Sequence, residues 1–237
     1  GKPLASYLVD QIMVDTDGFA EMPKGKDSKP LHSTEYEKIV RWIKEGAVDD
    51  SPEGSRAKYS MDNPPLYGIP PSILSLSYSS DGKHLALTGF HEAIVHKADG
   101  SSVVARLVGL SERIESVAFS PDGKSLALSG GQPGRMGEVQ VWDWSAKKLK
   151  LSHSVTYDTL YGISWSPDGK LLGFGGSDNS VRIVQSNDGK QVSYMSGHND
   201  WVRGTVFSAD GNSIFSVSRD KTVKKTDVKT ERFIGNV

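Results

Sequence analysis

The tetrapeptide Ser-x-Asp-Gly recurs four times, as Ser79-Ser80-Asp81-Gly82, Ser120-Pro121-Asp122-Gly123, Ser166-Pro167-Asp168-Gly169 and Ser208-Ala209-Asp210-Gly211. The copies start 41, 46 and 42 residues apart. Asp-Gly favours a hairpin turn, because glycine accepts the positive φ that the turn requires. Strand-like runs precede every copy (Ile73–Tyr78, Ile114–Phe119, Leu160–Trp165, Val202–Phe207) and follow it (His84–Leu87, Ser125–Leu128, Leu171–Phe174, Ser213–Val217). A third run comes next (Ala93–His96, Val139–Trp142, Val181–Val184, Thr222–Lys225), then a fourth (Val103–Val108, Leu149–Ser152, Gln191–Met195, Arg232–Ile234). Short β-rich runs at even spacing predict a mainly β chain. A period of about 40–45 residues with four strands in each is the period of a propeller blade. The expectation is four blades over residues 73–237, forming a half ring or a small ring.

Several phrases sharpen this reading. Gly197-His198 stands ahead of a first strand, Asp178-Asn179-Ser180-Val181 and Asp220-Lys221-Thr222-Val223 stand ahead of third strands, and Val141-Trp142-Asp143 closes one. On these phrases the chain resembles the WD40-repeat β-propeller family. The resemblance implies a hydrogen-bonded network of loop His, strand Ser, turn Asp and strand Trp. The last blade offers His198, Ser216 or Ser218, and Asp220, with Thr226 in the Trp place. His96 and Val184 stand there in the first and third blades, and only the second keeps Trp142.

Residues 1–48 read differently, as a short α-helical segment, and 49–72 as a linker. Leu4, Leu8 and Ile12 fall on one helical stripe. Thr34 and Glu37 suggest a capping box, Tyr36, Ile39, Val40 and Ile43 an apolar face, and Gly46 a stop. Gly1-Lys2-Pro3, Met22-Pro23 and the run from Tyr36 to Ala47 resemble the C-terminal half of a bacterial c-type cytochrome domain, of the kind that planctomycete-type bacteria fuse to WD40 repeats. That resemblance implies a parent protein cut at both ends, a periplasmic or cell-envelope location, and Met22 in the place of a distal haem ligand. The chain has no cysteine, so the CxxCH motif is absent and haem is not expected. Disulfides and thiolate metal sites are excluded by the same count.

The 28 basic and 29 acidic residues leave a net charge of −1, which gives no electrostatic case for nucleic acid. No apolar run approaches the roughly 20 residues of a membrane-spanning helix, so no membrane insertion is expected. No nucleophile elbow, phosphate-binding loop or HExxH motif is visible. Gly173-Phe174-Gly175-Gly176 lies in a strand and reads as close blade packing. In a propeller the second-to-third-strand turns and the crossovers between blades share one face. The polar residues placed there are the candidate binding set Glu92, Glu112, Arg113, Arg135, Asp158 and Asp200, with Asp178 and Asp220 in structural roles. Arg113 and Arg135 are expected either to bind an anionic group or to pair with Glu112 and Glu138. His91, His153 and His198 are candidate ligands for a divalent metal such as zinc or manganese. Trp42, Trp144, Trp165 and Trp201 read as core or interface fillers.

The function expected is an interaction scaffold presenting its loop face to a protein partner. The alternative is a metal-dependent hydrolase of esters or phosphoesters using the histidines and carboxylates. Four blades would leave two apolar faces open. A homodimer completing one ring is the expected remedy, with closure of four blades on themselves as the alternative.

Overall fold

In the computed structural model, which describes residues 12–13, 31–46, 59–69 and 71–237, each Ser-x-Asp-Gly tetrapeptide closes a tight turn between antiparallel strands. In the first copy Ser79 Oγ donates to Asp81 Oδ1 at 2.6 Å, and the same oxygen accepts from Lys83 N–H at 3.0 Å. Gly82 N–H donates back to the Ser79 carbonyl at 2.9 Å, and Gly82 has φ 69°. The same bonds recur at Ser120 and Asp122, Ser166 and Asp168, and Ser208 and Asp210. Serine is chosen because its hydroxyl donates to the aspartate, and glycine because the left-handed position costs an ordinary residue about 1–2 kcal/mol. The donors, Ser208 first, hold the Asp210 carboxyl down to about 2.

The strands build four blades, each an antiparallel meander of strands a to d. Blade 1 comprises β1 (Leu76–Tyr78), β2 (His84–Thr88), β3 (Phe90–Lys97) and the first half of β4 (Val103–Phe119). Blade 2 takes the second half of β4 with β5 (Ser125–Gln132), β6 (Met136–Asp143) and β7 (Lys148–Thr156). Blade 3 holds β8 (Leu160–Trp165), β9 (Leu171–Gly176), β10 (Val181–Gln185) and β11 (Gln191–Met195). Blade 4 holds β12 (Val202–Phe207), β13 (Ser213–Ser218), β14 (Val223–Asp227) and β15 (Phe233–Asn236). Two expected loops are strands instead. β4 runs from blade 1 into blade 2 without a break, making one seven-stranded sheet, and it absorbs the change of blade in bulges opposite Phe90 and Glu92 and at Ile114 and Ser116. The Gly-rich stretch around Arg135 is the tip of a long β5–β6 hairpin, paired out to Gln132 and Met136. A Cβ on Gly131 would lie 2.1 Å from the Met136 carbonyl oxygen, so this hairpin needs glycine there.

The core lies between blades. Ala93, Val95, Ala105 and Leu107 of blade 1 meet Val117, Phe119, Leu126, Leu128 and Trp142 of blade 2. Val139 and Val141 then meet Leu160, Leu172 and Phe174, and Val181 and Ile183 meet Phe207 and Ile214. Fully burying each such side chain contributes about 1.5–3 kcal/mol. Innermost strands are also tied by hydroxyls. Ser75 and Ser77 accept from Val117 and Phe119 N–H at 3.3 and 3.2 Å, and Thr205 Oγ1 donates to the Gly162 and Gly173 carbonyls, each at 2.8 Å. Gly175 serves close blade packing, as expected of this run: a Cβ there would meet the Val202 carbonyl oxygen at 2.3 Å.

Blades 1 and 4 each leave one face uncovered. Leu76 and Tyr78 are 60% and 56% exposed, and Val206 is 57% exposed. The four blades thus do not close on themselves. Residues 59–69, in the expected linker, lie against blade 1, where Arg106 donates to the Pro65 carbonyl at 2.7 Å and Val108 N–H to Met61 Sδ at 3.4 Å.

Residues Gly1–Ala57 form a separate unit, and within it α1 spans Ser33–Lys44. Its apolar stripe is as expected, with Tyr36, Ile39, Val40 and Ile43 half-buried. Its cap is not. His32, rather than Thr34, is the N-cap: Thr34 N–H donates to His32 Nδ1 at 3.4 Å, and His32 N–H donates to the Glu35 carboxylate at 3.0 Å. The helix starts before Thr34, so Glu35, not Glu37, reaches the cap. Gly46, at φ 106°, ends the helix. Leu4, Leu8 and Met22 lie outside the described residues.

Candidate interaction face

In an antiparallel meander the b–c turn and the end of strand d fall at the end where strand a begins. The crossovers and b–c turns of all four blades therefore share one face, and a carboxylate in every blade ties its c strand or b–c turn to neighbouring backbone or strands. In blade 4 Asp220 Oδ2 accepts from His198 Nδ1 at 2.9 Å and Asn199 N–H at 3.0 Å, while Thr222 Oγ1 donates to Oδ1 at 2.7 Å. His198 Nε2 meets Ser216 Oγ at 2.8 Å, so Ser216, not Ser218, is the partner. Burial alone would raise the Asp220 carboxyl, but donation from Thr222, Asn199 and His198 outweighs it and holds the group far below the usual range. In blade 3 Arg182 donates to Asp178 Oδ2 at 2.6 Å, and Ser180 Oγ to Oδ1 at 2.6 Å.

Blades 1 and 2 solve the same problem with glutamate. Glu92 and Glu138 occupy the place of Ser180 and Thr222, immediately before the first core residue of strand c. Glu138, 1% exposed, accepts from Ser111 and Ser152 hydroxyls, each at 2.5 Å, and from Gln140 Nε2 at 2.8 Å. Trp142 Nε1 donates onward to Gln140 Oε1 at 2.8 Å. Glu92, 0% exposed, takes Arg106 Nε at 2.7 Å, Arg106 Nη2 at 2.5 Å and the Tyr67 hydroxyl at 2.7 Å. Burial, then this bond to Glu92, pushes the Tyr67 phenol well up.

Part of the expected binding set, Glu92 and Asp158, is spent on this scaffolding. Glu92 is buried in an ion pair rather than presented on a loop. His91 is buried as well, at φ 64°, in the left-handed position that Asn179 and Lys221 fill at φ 66° and 68° in blades 3 and 4. Burial lowers its pKa. Asp158 accepts from Gly134 N–H at 3.0 Å and Thr159 N–H at 2.7 Å, anchoring the β5–β6 hairpin, and these bonds hold its carboxyl down. Glu112 and Arg113 lie within β4, and Arg113 pairs with Glu115 at 3.7 Å rather than with Glu112. Arg135 sits in the hairpin turn, and its expected partner Glu138 is held by serines and Gln140 instead. His153 is half-buried in β7, beside Gly189. His198 belongs to the Asp220 network. The three histidines lie in different blades. Among the described residues no group of three or more His, Asp or Glu side chains is placed to hold a metal ion.

What stays available on the face is a stack that the sequence reading missed. Tyr161 and Trp201 lie parallel across the boundary of blades 3 and 4, with ring centroids 5.9 Å apart and planes at 19°. Arg203 lies over the Tyr161 ring at 4.1 Å from the centroid, and Arg219 lies 4.8 Å from that of Trp201. Asp200 steadies Arg219 at 3.7 Å. Trp201 remains 37% exposed, so of the expected roles it serves at an interface rather than in the core, and Tyr157, four residues before Tyr161, is 88% exposed. Cation–π contacts of this kind contribute about 0.5–1 kcal/mol each at exposed sites. Burial raises the Tyr161 phenol despite the nearby Arg203 charge.

This architecture is that of β-propeller blades of the WD40 type, and parts of the chain are similar to proteins with such repeats. Residues 134–207 match the Anaphase-promoting complex subunit 4 WD40 domain, and residues 189–227 match the WD domain, G-beta repeat. Periodic tryptophan protein 2 of Arabidopsis thaliana is 32% identical over 95 residues, 40% of this chain and 11% of that protein. WD repeat and SOCS box-containing protein 1 of Danio rerio is 32% identical over 89 residues, 37% of this chain and 21% of that protein. Nuclear distribution protein nudF of Emericella nidulans is 31% identical over 119 residues, 41% of this chain and 27% of that protein. The chain thus matches about a quarter or less of the length of these relatives. No helix of the described residues is long and apolar enough to cross a membrane.

Proposed function

We propose that this chain is a propeller interaction scaffold, and that it holds a protein partner on the rim formed by Arg203, Tyr161, Trp201 and Arg219. The stack itself carries the reading. Trp, Tyr and Arg are the residue types that dominate binding energy at protein interfaces, and here Trp201, Arg203 and Arg219 are exposed on the face while the buried Tyr161 ring backs them. Glu92, Glu138, Asp158, Asp178 and Asp220 are engaged within the fold, which speaks against their use in hydrolytic chemistry. The matched Anaphase-promoting complex subunit 4 domain is, by its description, part of a multi-protein complex. Cross-linking the chain to partners from its own cells tests the proposal. Cross-links should map to residues 157–161, 199–203 and 219–221, and should fall at least about tenfold in Trp201→Ala. Cross-links concentrated elsewhere refute it.

The uncovered faces support a second proposal, that two copies complete one ring. Leu76, Leu87 and Ile94 form one paired row on blade 1, and Val206, Phe215 and Lys225 form one on blade 4. Light scattering at micromolar concentration should give a dimer, and a monomer refutes the ring. For the N-terminal unit, kinship to a cytochrome half-domain that has lost its haem site remains our reading of α1. A stable apo-protein with no Soret band after incubation with haem is the expected result.

A further inference from the structure

The strand registers of blades 2 and 4 can be laid side by side. Phe119, Leu126, Trp142 and Leu149 form one paired row across blade 2, and Phe207, Ile214, Thr226 and Phe233 form the matching row across blade 4. Thr226 therefore stands where Trp142 stands. In blade 2 the indole is almost wholly buried against Ala93, Val95, Ala105 and Leu107 of the preceding blade, and its N–H is bonded. In blade 4 the same place is an open groove of about 400 Å³ between blades, walled by Val181 and Met195 of blade 3 and by His198, Ser216, Thr226 and Phe233. Pockets of roughly 300–1,000 Å³ are the size that take ligands.

The groove also offers an acceptor. Asp220 accepts from His198 Nδ1, so in the neutral ring Nε2 accepts from the Ser216 hydroxyl. Ser216, 3% exposed, then keeps its oxygen lone pairs for another donor. Val181 and Met195 on one side, Phe233 on the other, one buried acceptor and the footprint of a tryptophan found in the sister blade together specify the occupant, with Lys224 and Glu231 also lining the groove. We propose that this groove receives a tryptophan side chain from a partner segment, which fills from outside the place that Trp142 fills from within in blade 2. A phenylalanine would fill the walls but bring no N–H for Ser216.

The natural ligand rests on the scaffold reading, but the groove can be tested by itself. N-acetyltryptophanamide titrated into the full ¹⁵N-labelled chain should shift the amides of Val181, Met195, Ser216 and Thr226 saturably, with a dissociation constant on the order of 1 mM, the scale for so small a ligand. N-acetylphenylalaninamide should bind about fivefold more weakly, the worth of one hydrogen bond. Thr226→Trp should fill the groove, abolish the titration and raise the melting temperature. No saturable shift up to about 10 mM, or an unchanged titration in Thr226→Trp, overturns the proposal. The two readings fail separately: rim cross-links without groove binding overturn the groove, and groove binding with partners cross-linked elsewhere overturns the rim.

Discussion

Replacing Asp220 with alanine removes the acceptor at the centre of blade 4. Four donors lose their partner at once: His198 Nδ1, Asn199 N–H, and the backbone and hydroxyl of Thr222, all within 3.0 Å of the carboxylate. Bonds to a charged acceptor contribute about 1.5–3 kcal/mol each when made, but admitted water recovers much of that. The carboxylate is only 7% exposed, so recovery is partial. The expected net loss is about 3 kcal/mol, which for a chain of this size lowers the melting temperature by roughly 6–12 °C. Asp168→Ala, at a turn where the carboxylate is 56% exposed, should lose less than half as much. The pH dependence follows from the depressed Asp220 pKa. A carboxyl held low in the fold contributes its full stability above the unfolded value of about 4, and loses it as pH falls towards the folded value. The gap between wild type and Asp220→Ala should therefore be flat from about pH 5 to 7 and narrow by about 1 kcal/mol at pH 3. Denaturant unfolding at each pH reads it. A loss under about 1 kcal/mol at pH 7, or a gap that widens in acid, refutes the reasoning.

Further outcomes follow from the same geometry. Trp201→Ala and Arg203→Ala should each weaken partner binding about tenfold or more by surface plasmon resonance, with under about 1 kcal/mol change in unfolding free energy. Gly175→Ala should cost about 2–3 kcal/mol in urea unfolding, because the new methyl meets the Val202 carbonyl oxygen at 2.3 Å, whereas Gly82→Ala, in open space at φ 69°, should cost about 1 kcal/mol. Glu92→Gln should cost about 2 kcal/mol by thermal melts, since Arg106 loses a charged partner, and Glu138→Gln about 1 kcal/mol, since its donors are neutral.

Strands bounded by turn signals on both sides were readable to the residue. Leu160–Trp165, Gln191–Met195 and Val202–Phe207 have the limits expected from the sequence. The continuous β4 was not readable, because its bulges depend on pairing with β3 and β5 rather than on its own residues. The roles of the face were partly legible. Resemblance alone brought His198 and Asp220 together, and the geometry agrees. Glu92 looked like a free loop carboxylate because its partner Arg106 lies on the next strand and Tyr67 lies 25 residues upstream. The aromatic stack did leave a trace. Tyr161 and Arg203 are 42 residues apart, which is one repeat, and so occupy the same position in successive blades. Aligning the copies column by column, instead of scanning each loop, would have found that pair.

Column-wise comparison also explains how function could be added without disturbing the fold. Each blade has one carboxylate that ties its c strand or b–c turn, and the four blades supply it with different donors: an arginine and a tyrosine, serines and an amide, an arginine and a serine, or a histidine and a threonine. Because the carboxylate does the fixing, the tryptophan beside it becomes dispensable, and blade 4 replaces it with Thr226 while keeping its strands paired. The freed volume lies between blades, beside a network that is already rigid. A ligand entering there meets walls that need not reorganise, which is the condition under which a small contact area gives useful affinity. The rim stack obeys the same logic, since Arg203 and Arg219 already lie over their rings. On the proposed reading, scaffold and recognition fall to adjacent but separate residues: changes at Thr226, Trp201 or Arg203 should alter what is bound, while changes at Asp220, Glu138 or Glu92 should alter whether the blade stands.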